Sequence, residues 1–395
     1  MRIIILLLLI STVLTAQIYN YKDYYFSDKW QKLSDKHDAY TGAEELSCIG
    51  EYNYALAYWD KKEPEMPTLS KVDSLYFSKF KPLDAITYLA EIGLKEKVIM
   101  INEAHHQPYH RVFTTQLLKT LYDKGFRYFG AETLAHWDTL LNQRKYPIEH
   151  SGYYTKEPLY ANLIRTALEI GYTVFAYETQ NMRDDSAGIN FREIEQAKNI
   201  KKILNKDSSA KILIHCGYDH LVETDYPGWG KTMAGRFREY TGINPFTIDQ
   251  VKLTERSSSK YENPFYKTIN LNYFAFFVDS AGNLFNGQKG INQYDVRLYH
   301  PRTKWQNGRP DWMFDADRKP FLIGDSVTIG FPCLVFAYLV NEISLTDKKG
   351  ESAIPFDIIE IKDKGDKKAL SLKAGKYRIV IRNKKDKIQY IDVSM

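Results

Sequence analysis

The amino-acid sequence predicts an α/β fold, with a mostly parallel sheet flanked by helices and a small, sandwich-like all-β domain at the C-terminal end. Between residues 84 and 253, short apolar runs alternate with segments whose apolar residues recur at helical spacing. This alternation is typical of parallel strands joined by right-handed crossovers. Beyond residue 325, short apolar segments separated by polar turns take over, which favours antiparallel strands.

The N-terminal residues resemble a secretory signal peptide. Met1-Arg2 precedes an aliphatic run over residues 3–10, and Thr15-Ala16-Gln17 offers a small-residue cleavage site after Ala16. The run is too short to span a bilayer comfortably, and no later segment approaches that length. We therefore expect an exported protein, periplasmic or extracellular, with no transmembrane segment after cleavage.

The remaining chain divides into three predicted parts. Its 395 residues exceed a typical single domain. We expect a Tyr-rich helical lead-in over residues 17–82, an α/β catalytic-type domain over residues 83–315, and a C-terminal β-sandwich-like domain over residues 325–395. The net charge of +5 is small, and charges of both signs are mixed along the chain, which argues against nucleic acid as the partner.

Each element of the α/β part has a local signal. Asp84 is placed to N-cap a helix, and Gly125 and Gly171 follow helical patterns as C-terminal signals. The predicted helices cover residues 84–94, 110–124, 157–170, 190–204 and 231–240. The predicted strands cover residues 98–101, 128–131, 173–177, 212–214, 246–253 and 271–278. These strands are continuous apolar runs, as expected when helices cover both faces of a sheet. The C-terminal strands are predicted at residues 327–329, 334–340, 356–361, 377–381 and 387–393.

Four successive predicted strands are followed by glutamate or histidine. In a parallel sheet, ligands bind beyond the carboxyl ends of the strands, so these side chains are candidates for one site. They are Glu103 with His105 and His106, then Glu132, then Glu178, and finally His215 with His220.

Several of these residues have a structural alternative. His105 and His106 are adjacent, and successive side chains point apart, so we expect only one to face the site. His110 is expected on the surface at the start of its helix. His215 could simply fill the last buried turn of its strand, and a lone Glu178 could be a solvated strand end or a helix cap.

Arg192 also has two interpretations. It could pair with Glu195 on a solvated helix face, or it could clamp an anionic substrate or an oxyanion. The three cysteines, Cys48, Cys216 and Cys333, are far apart in the sequence. We expect them to be small buried apolar residues, and we expect Cys216 to pack rather than to act as a ligand.

Clustered glutamate and histidine suit two kinds of chemistry. The first is a divalent metal site, with His105, Glu132, Glu178 and His220 as candidate ligands of Mn, Zn or Co and a bound water as the nucleophile. The second is metal-free acid–base catalysis, in which a carboxylate orients a histidine that takes a proton from water. The sequence contains no Gly-x-Ser-x-Gly, His-Glu-x-x-His, Walker or Gly-x-Gly-x-x-Gly motif, so serine hydrolases, helix-built zinc proteases and nucleotide enzymes lose support.

Four short motifs, in order, resemble those of the superfamily that contains erythromycin esterases, ChaN and Tiki/TraB proteins. They are Asn102-Glu103-Ala104-His105-His106, the stretch GFRYFGAE ending at Glu132, Arg192-Glu193 with Ala197-Lys198-Asn199, and Gly217-Tyr218-Asp219-His220. The chain departs from the esterase pattern at Asn102, Glu193, Gln196 and Gly217, where that pattern has Gly, Asp, Met and His.

The resemblance implies a related α/β core and functional roles for His105 or His106, Glu132, Glu178 and His220, with Arg192 where the esterase pattern applies. Our leading hypothesis is a secreted hydrolase that cleaves an ester or amide of a small-molecule or peptide substrate with activated water, with Trp229 lining the cleft. One alternative is a haem- or metal-binding uptake protein resembling ChaN. Another is an interaction protein whose C-terminal β-domain carries the function. The sequence does not determine the oligomeric state.

Overall fold

The structure is a computed structural model that describes residues 23–34, 38–180, 188–287, 289–290, 293–314, 317–343 and 352–395. The predicted signal peptide lies outside these residues. The described chain forms two compact units. We call the part within Lys62–Lys145 and Leu163–Arg302 the core unit, and the part within Met1–Lys61, Tyr146–Asn162 and Thr303–Met395 the terminal unit.

The helices are numbered in chain order. They are α1 (Ser27–Ser34), α2 (Ala39–Cys48), α3 (Tyr52–Asp60), α4 (Lys71–Phe77), α5 (Ala85–Lys95), α6 (Tyr109–Asp123), α7 (Leu141–Arg144), α8 (Pro158–Ile170), α9 (Gly188–Lys206), α10 (Met233–Thr241) and α11 (Val340–Ile343).

The strands begin with those of the core unit. They are β1 (Lys81–Asp84), β2 (Val98–Glu103), β3 (Tyr128–Ala131), β4 (Thr173–Ala176), β5 (Ile212–Gly217), β6 (Asp225–Tyr226), β7 (Gly230–Lys231), β8 (Phe246–Leu253), β9 (Ala275–Val278) and β10 (Val296–Tyr299). The terminal unit contains β11 (Trp305–Gln306), β12 (Arg309–Pro310), β13 (Lys319–Leu322), β14 (Cys333–Leu339), β15 (Asp357–Ile361), β16 (Ala369–Leu372), β17 (Lys376–Asn383) and β18 (Ile388–Ser394).

The core unit is built on an eight-stranded sheet in the order β1-β9-β10-β8-β2-β5-β3-β4. All pairs from β10 to β4 are parallel, whereas β9 runs antiparallel to β1 and β10. The fold class predicted from the sequence is therefore confirmed, including a large, mostly parallel sheet with helices around it.

The apolar strands lie in the middle of this sheet. Every residue of β2 and β5 is buried, as their uninterrupted aliphatic runs predict. Asp84 caps α5 by accepting a hydrogen bond from the Thr87 amide at 2.8 Å. The sequence did not predict β1 or β10. The strand predicted at residues 271–278 is shorter, because only Ala275–Val278 pairs with its neighbours.

The terminal unit contains a four-stranded antiparallel sheet in the order β15-β14-β17-β18. The side chains of β14 alternate between its two faces. Leu334 and Phe336 pack against α2 and α3, whereas Cys333 and Val335 pack with β13 and β16. Small antiparallel sheets near the C-terminus thus accompany the parallel sheet. Helices α2 and α3 cover one face of the four-stranded antiparallel sheet.

The strand predicted at residues 327–329 was wrong. Gly324–Ser326 forms a single 3₁₀ turn, and the residues after it have no strand partner. Val327 and Ile329 are nevertheless half-buried against the β14 core, so their apolar character reflects packing of an irregular segment. Apolar alternation over three residues does not distinguish these two cases.

The two units divide the chain differently from the three predicted parts. Residues 62–82 of the predicted lead-in belong to the core unit, and residues 303–315 belong to the terminal unit. The three cysteines are buried and are not joined in disulfides, as predicted. Within the described ranges, no helix is both long and apolar enough to cross a membrane.

Candidate functional site

The candidate residues lie at the carboxyl ends of four neighbouring strands, β2, β5, β3 and β4. Glu103 is in register with Gly217, and Ala131 is in register with His215 and Ala176. Because these strands are parallel, the segments that follow them leave the same edge of the sheet. The fold thereby brings Glu103, Glu132, Glu178 and His220 to one edge.

Glu103 is the centre of a buried charge cluster. Arg111 donates to it from two nitrogens, Nε to Oε2 and Nη2 to Oε1, both at 2.7 Å. His105 Nδ1 lies 3.0 Å from Oε1, and His215 Nε2 lies 2.8 Å from Oε2. Burial would raise the pKa of Glu103, but Arg111 and His215 hold it well below its ordinary value. Glu103 is therefore an ionised carboxylate that orients two imidazole rings.

The structure distinguishes His105 from His106. A β-carbon at Gly217 would lie 2.6 Å from His105 Nε2 and 2.9 Å from Glu132 Oε2, so these two atoms border the same point. His106 is turned elsewhere, with Nδ1 3.3 Å from the Tyr218 hydroxyl, and only 1% of its surface is exposed. Of the two adjacent histidines, His105 is the one beside Glu132.

Arg192 joins two of the predicted glutamates. Its Nη2 donates to Glu132 Oε1 at 2.7 Å and to Glu178 Oε2 at 2.5 Å, and its Nε donates to Glu178 Oε1 at 2.9 Å. Gln196 Nε2 also donates to both Glu178 oxygens. Glu195 instead lies 2.9 Å from Lys198. Arg192 thus points into the site rather than pairing along a solvated helix face.

Glu132 is ionised despite its burial. Burial would raise the pKa of its carboxyl, but His220 and Arg192 lower that pKa to about 2. Its Oε2 also accepts a short hydrogen bond from the Gly217 amide. Burial in turn would lower the pKa of the Arg192 guanidinium, but Glu132 and Glu178 raise it above its ordinary value, so this cation stays charged.

His220 has its own buried carboxylate. Its Nδ1 lies 2.6 Å from Glu193 Oε1, while its Nε2 lies 3.0 Å from Arg192 Nη1 and 3.6 Å from Glu132 Oε1. Burial would lower the pKa of His220, but Glu193 and Glu132 raise it. The Trp229 ring lies beside the imidazole, with a centroid separation of 5.2 Å.

Tyr218 lies near both His105 and His106, the two adjacent histidines that follow β2. Its backbone has φ +39°, in the left-handed region that is costly for a bulky residue. Its ring lies edge-on to His105, at a centroid separation of 4.9 Å, and its hydroxyl is near His106. Its carbonyl accepts from Asn102 Nδ2 at 2.8 Å, which helps to hold the strained backbone in place. Such strain is often found at functional sites.

Two of the sequence-based expectations concern histidines that the fold buries. The prediction that His110 lies on the surface was wrong, because it is fully buried, with Nδ1 accepting from the Ala104 amide at 2.9 Å. His215 is a residue of β5, so its backbone takes part in strand pairing. Its ring contacts Glu103. Cys216 packs in the apolar core of the unit, as expected.

Sequence reasoning missed Arg111, Glu193 and Tyr218 as site residues. A signal for the first two was present. Arg111 shares a helix face with Thr114 and Leu118, and Glu193 shares one with Ala197 and Ile200, all of which are buried. A charged residue on a buried helix face needs a partner. The strained backbone of Tyr218 has no comparable signal in the sequence.

The arrangement does not fit a divalent metal among the predicted ligands. The guanidinium of Arg192 donates to Glu132, Glu178 and His220, so a cation already occupies the point where their ligand atoms converge. Within the described residues, no group of three or more His, Cys, Asp or Glu side chains is arranged to hold a metal ion. As arranged here, these side chains bind the Arg192 guanidinium instead of a metal ion, and we derive no step through a metal.

Fold and site together define an α/β protein with a charged histidine–carboxylate cluster at the carboxyl edge of its sheet. The sequence matches no protein-family model and no curated protein. Several solved structures show low similarity, and three of them are described here. The type III effector HopBA1 has 11% identity and a TM-score of 0.33, over 43% of this chain and 84% of HopBA1.

The second is RRSP, a MARTX toxin effector domain from Vibrio vulnificus, with 12% identity and a TM-score of 0.31 over 66% of this chain and 50% of that one. The third is the C-terminal region of Pasteurella multocida toxin, described as having a thiol-protease like catalytic triad. It has 11% identity and a TM-score of 0.31 over 90% of this chain and 50% of that one. At these TM-scores none of the three carries an argument about this chain.

Proposed function

We propose that this chain is a hydrolase that cleaves an ester or amide with water activated by two carboxylate-oriented histidines. The observation that carries the proposal is the pair of contacts Glu103–His105 at 3.0 Å and Glu193–His220 at 2.6 Å. In each pair a buried carboxylate faces Nδ1, which leaves Nε2 of His105 for proton transfer, while Nε2 of His220 accepts from Arg192 Nη1 at 3.0 Å. Such a pairing fixes the tautomer and the orientation of a catalytic imidazole.

The two imidazoles have different roles in the proposal. His105 keeps a proton on Nδ1 toward Glu103, so its Nε2 carries the lone pair and takes a proton from water as the water oxygen attacks the carbonyl carbon. Protonation of His220, whose pKa is raised, displaces Arg192 Nη1 from Nε2, and that nitrogen then gives its proton to the leaving oxygen or nitrogen as the bond to carbon breaks. A proton passed from His105 to His220 through solvent restores both rings.

Arg192 and the carboxylates around it have a positioning role in this proposal. Glu132 is held by Arg192 and by the Gly217 amide, and it lies beside both imidazoles. Its negative charge stabilises whichever ring is protonated during the cycle. Arg192 in turn prevents Glu132 and Glu178 from repelling each other, which keeps the site in one arrangement.

The test is hydrolysis of a panel of 4-nitrophenyl esters and fluorogenic peptides by the purified chain and by His105→Ala and His220→Ala variants. His150→Ala is the matched control, because His150 is an exposed histidine of the terminal unit. We expect loss of at least about 10²-fold in kcat/KM for each site variant. Equal rates in all four proteins would overturn the proposal.

The superfamily and the location belong to the same proposal. The ordered motifs around Glu103, Glu132, Arg192 and His220 support an erythromycin-esterase-like hydrolase, and the sequence over residues 1–16 supports export. N-terminal sequencing of protein recovered outside the cytoplasm should begin at Gln17. The haem-uptake alternative stays a prediction, and a haem titration without a Soret change would remove it.

A further inference from the structure

A small cavity lies at the far end of β8 in the core unit. Its volume is about 110 Å³, and the side chains around it come from β8, from the segment after β8 and from the segment before α4. Six residues define its character: Glu63, Met66, Lys252, Thr254, Arg256 and Tyr261. Two of them are cationic, one is acidic, and Thr254 and Tyr261 offer hydroxyl groups.

This cavity is at the same edge of the sheet as the histidines. Strand β8 runs parallel to β2, with Ile248 in register with Ile101, so β8 continues past the point where β2 ends at Glu103. Gln107 directly follows the two adjacent histidines. Its Nε2 donates to Thr254 Oγ1 and to the Glu255 carbonyl, both at 2.9 Å. The Gln107 side chain therefore connects one wall of the cavity to the segment that carries His105 and His106.

The positive charge around the cavity also affects His106. Lys252 and Arg256 outnumber Glu63 among the charged groups around it, so the lining carries a net positive charge. Burial lowers the pKa of His106, and the positive charge of Arg256 lowers it further. Arg256 is thus close enough to influence His106, the residue next to His105.

We propose that this cavity binds a negatively charged group of the substrate and that Arg256 is the residue that determines this specificity. The planar guanidinium matches a carboxylate or a phosphate group at two points, and a cavity of about 110 Å³ is large enough for one such group. The inference rests on the proposed hydrolase and deepens it. The favoured substrate is an ester or amide that carries an acidic group beside its scissile bond.

The first test compares two esters of equal chain length, mono-4-nitrophenyl succinate and 4-nitrophenyl butyrate, which differ in one carboxylate. Wild-type protein should favour the succinate, and Arg256→Gln should lower kcat/KM for the succinate at least tenfold more than kcat/KM for the butyrate. Arg256→Lys keeps the charge but loses the two-point geometry. Its kcat/KM for the succinate should therefore lie between the values of wild type and Arg256→Gln. Arg378→Gln is the matched control, since Arg378 is an exposed arginine of the terminal unit paired with Asp392.

The second test separates this inference from the proposed function. Isothermal titration with succinate and with inorganic phosphate measures the cavity without any hydrolysis. Binding of either probe to wild type and its loss in Arg256→Gln supports the cavity, and the probe that binds identifies the anion. If neither probe binds and the two esters are cleaved in the same ratio by wild type and Arg256→Gln, the inference is overturned. If no ester is cleaved but succinate or phosphate still binds through Arg256, the hydrolase proposal fails and the anion site remains.

Discussion

Arg111 contacts Glu103 at two points in the interior of the core unit, with both nitrogen–oxygen distances at 2.7 Å. Each of these side chains is only 1% exposed. The same carboxylate holds the rings of His105 and His215. The pair therefore supports both the stability of the sheet edge and the geometry of the proposed base.

We expect Arg111→Met to lower the free energy of unfolding by about 3–5 kcal/mol, because it leaves a buried carboxylate without its main partner. Urea denaturation measures this. Lys119→Met is the matched control on the same helix, since its partner Asp123 is exposed, and it should change stability by at most about 0.5 kcal/mol. Adding Glu103→Gln to Arg111→Met should restore part of the loss. A stable single variant would contradict the assignment of Glu103 as a buried anion.

Gly217 is expected to be intolerant of even a methyl group. A β-carbon there would lie 2.4 Å from His105 Cε1 and 2.9 Å from Glu132 Oε2, which forces both side chains to move. Gly217→Ala should therefore lower kcat/KM by about 10²-fold, as small displacements of catalytic groups do. In Gly324→Ala the new carbon would meet only the Asp366 carbonyl, at 3.6 Å, and activity should be unchanged. Similar activities would show that the contact with His105 is unimportant.

Glu193 is expected to set the upper pH limit of activity. In the proposed mechanism His220 must be protonated, so the rate falls as pH rises through its pKa. Burial lowers that pKa, and Glu193 together with Glu132 raises it above its ordinary value. Glu193→Gln removes the negative charge, so the descending limb of the kcat/KM profile should move to lower pH. Profiles measured between pH 5 and 10 test this. A descending limb at the same pH in Glu193→Gln and wild type would contradict the role of His220 as the acid.

The carboxyl groups of Glu223 and Asp295 are expected to make stability depend on pH. Both contact Thr247, whose hydroxyl donates to Glu223 at 2.7 Å and whose amide donates to Asp295 at 2.8 Å. Burial, and then the charge of Asp295, raise the pKa of Glu223 from 4.5 to about 7. The folded state thus holds this proton more tightly than the unfolded state, and its contribution is lost as pH rises between these values.

Thermal unfolding at pH 5 and pH 8 tests this expectation. Between these pH values, wild type should lose a few °C of Tm more than Glu223→Gln, which carries no ionisable proton at this position. Glu91→Gln is the control, because Glu91 is exposed, and it should follow wild type. The same pH dependence in Glu223→Gln and wild type would show that Glu223 does not hold the proton.

Arg192 is expected to be the group that keeps metal ions out. Its guanidinium contacts Glu132, Glu178 and His220, so Arg192→Met releases ligand atoms of the kind that Zn²⁺ and Mn²⁺ prefer. Isothermal titration should show no binding of either ion at this site in wild type and measurable binding in the variant. Stoichiometric metal in purified wild type that Glu132→Ala removes would contradict this expectation and favour the metal-dependent mechanism.

Much of the core unit follows from local patterns in the sequence. The apolar runs at β2, β3, β4, β5 and β8 and the helices between them have the expected order, because a buried parallel strand needs an uninterrupted apolar run. The location of Glu103, Glu132, Glu178 and His220 at one edge also follows, since the carboxyl ends of parallel strands meet there. Strands β1 and β10 were missed because short runs near the sheet margin carry a weak signal.

The residue types that reach the carboxyl edge follow from the order of the strands and from the residues after each strand. Which of these residues touch depends on how the chain packs in three dimensions. Register places Gly217 beside Glu103, and this lets His105, rather than His106, lie next to Glu132. Packing of α6 and α9 brings Arg111 to Glu103 and Arg192 to Glu178. These contacts join residues far apart in the chain, and their distances depend on side-chain packing that no local pattern encodes.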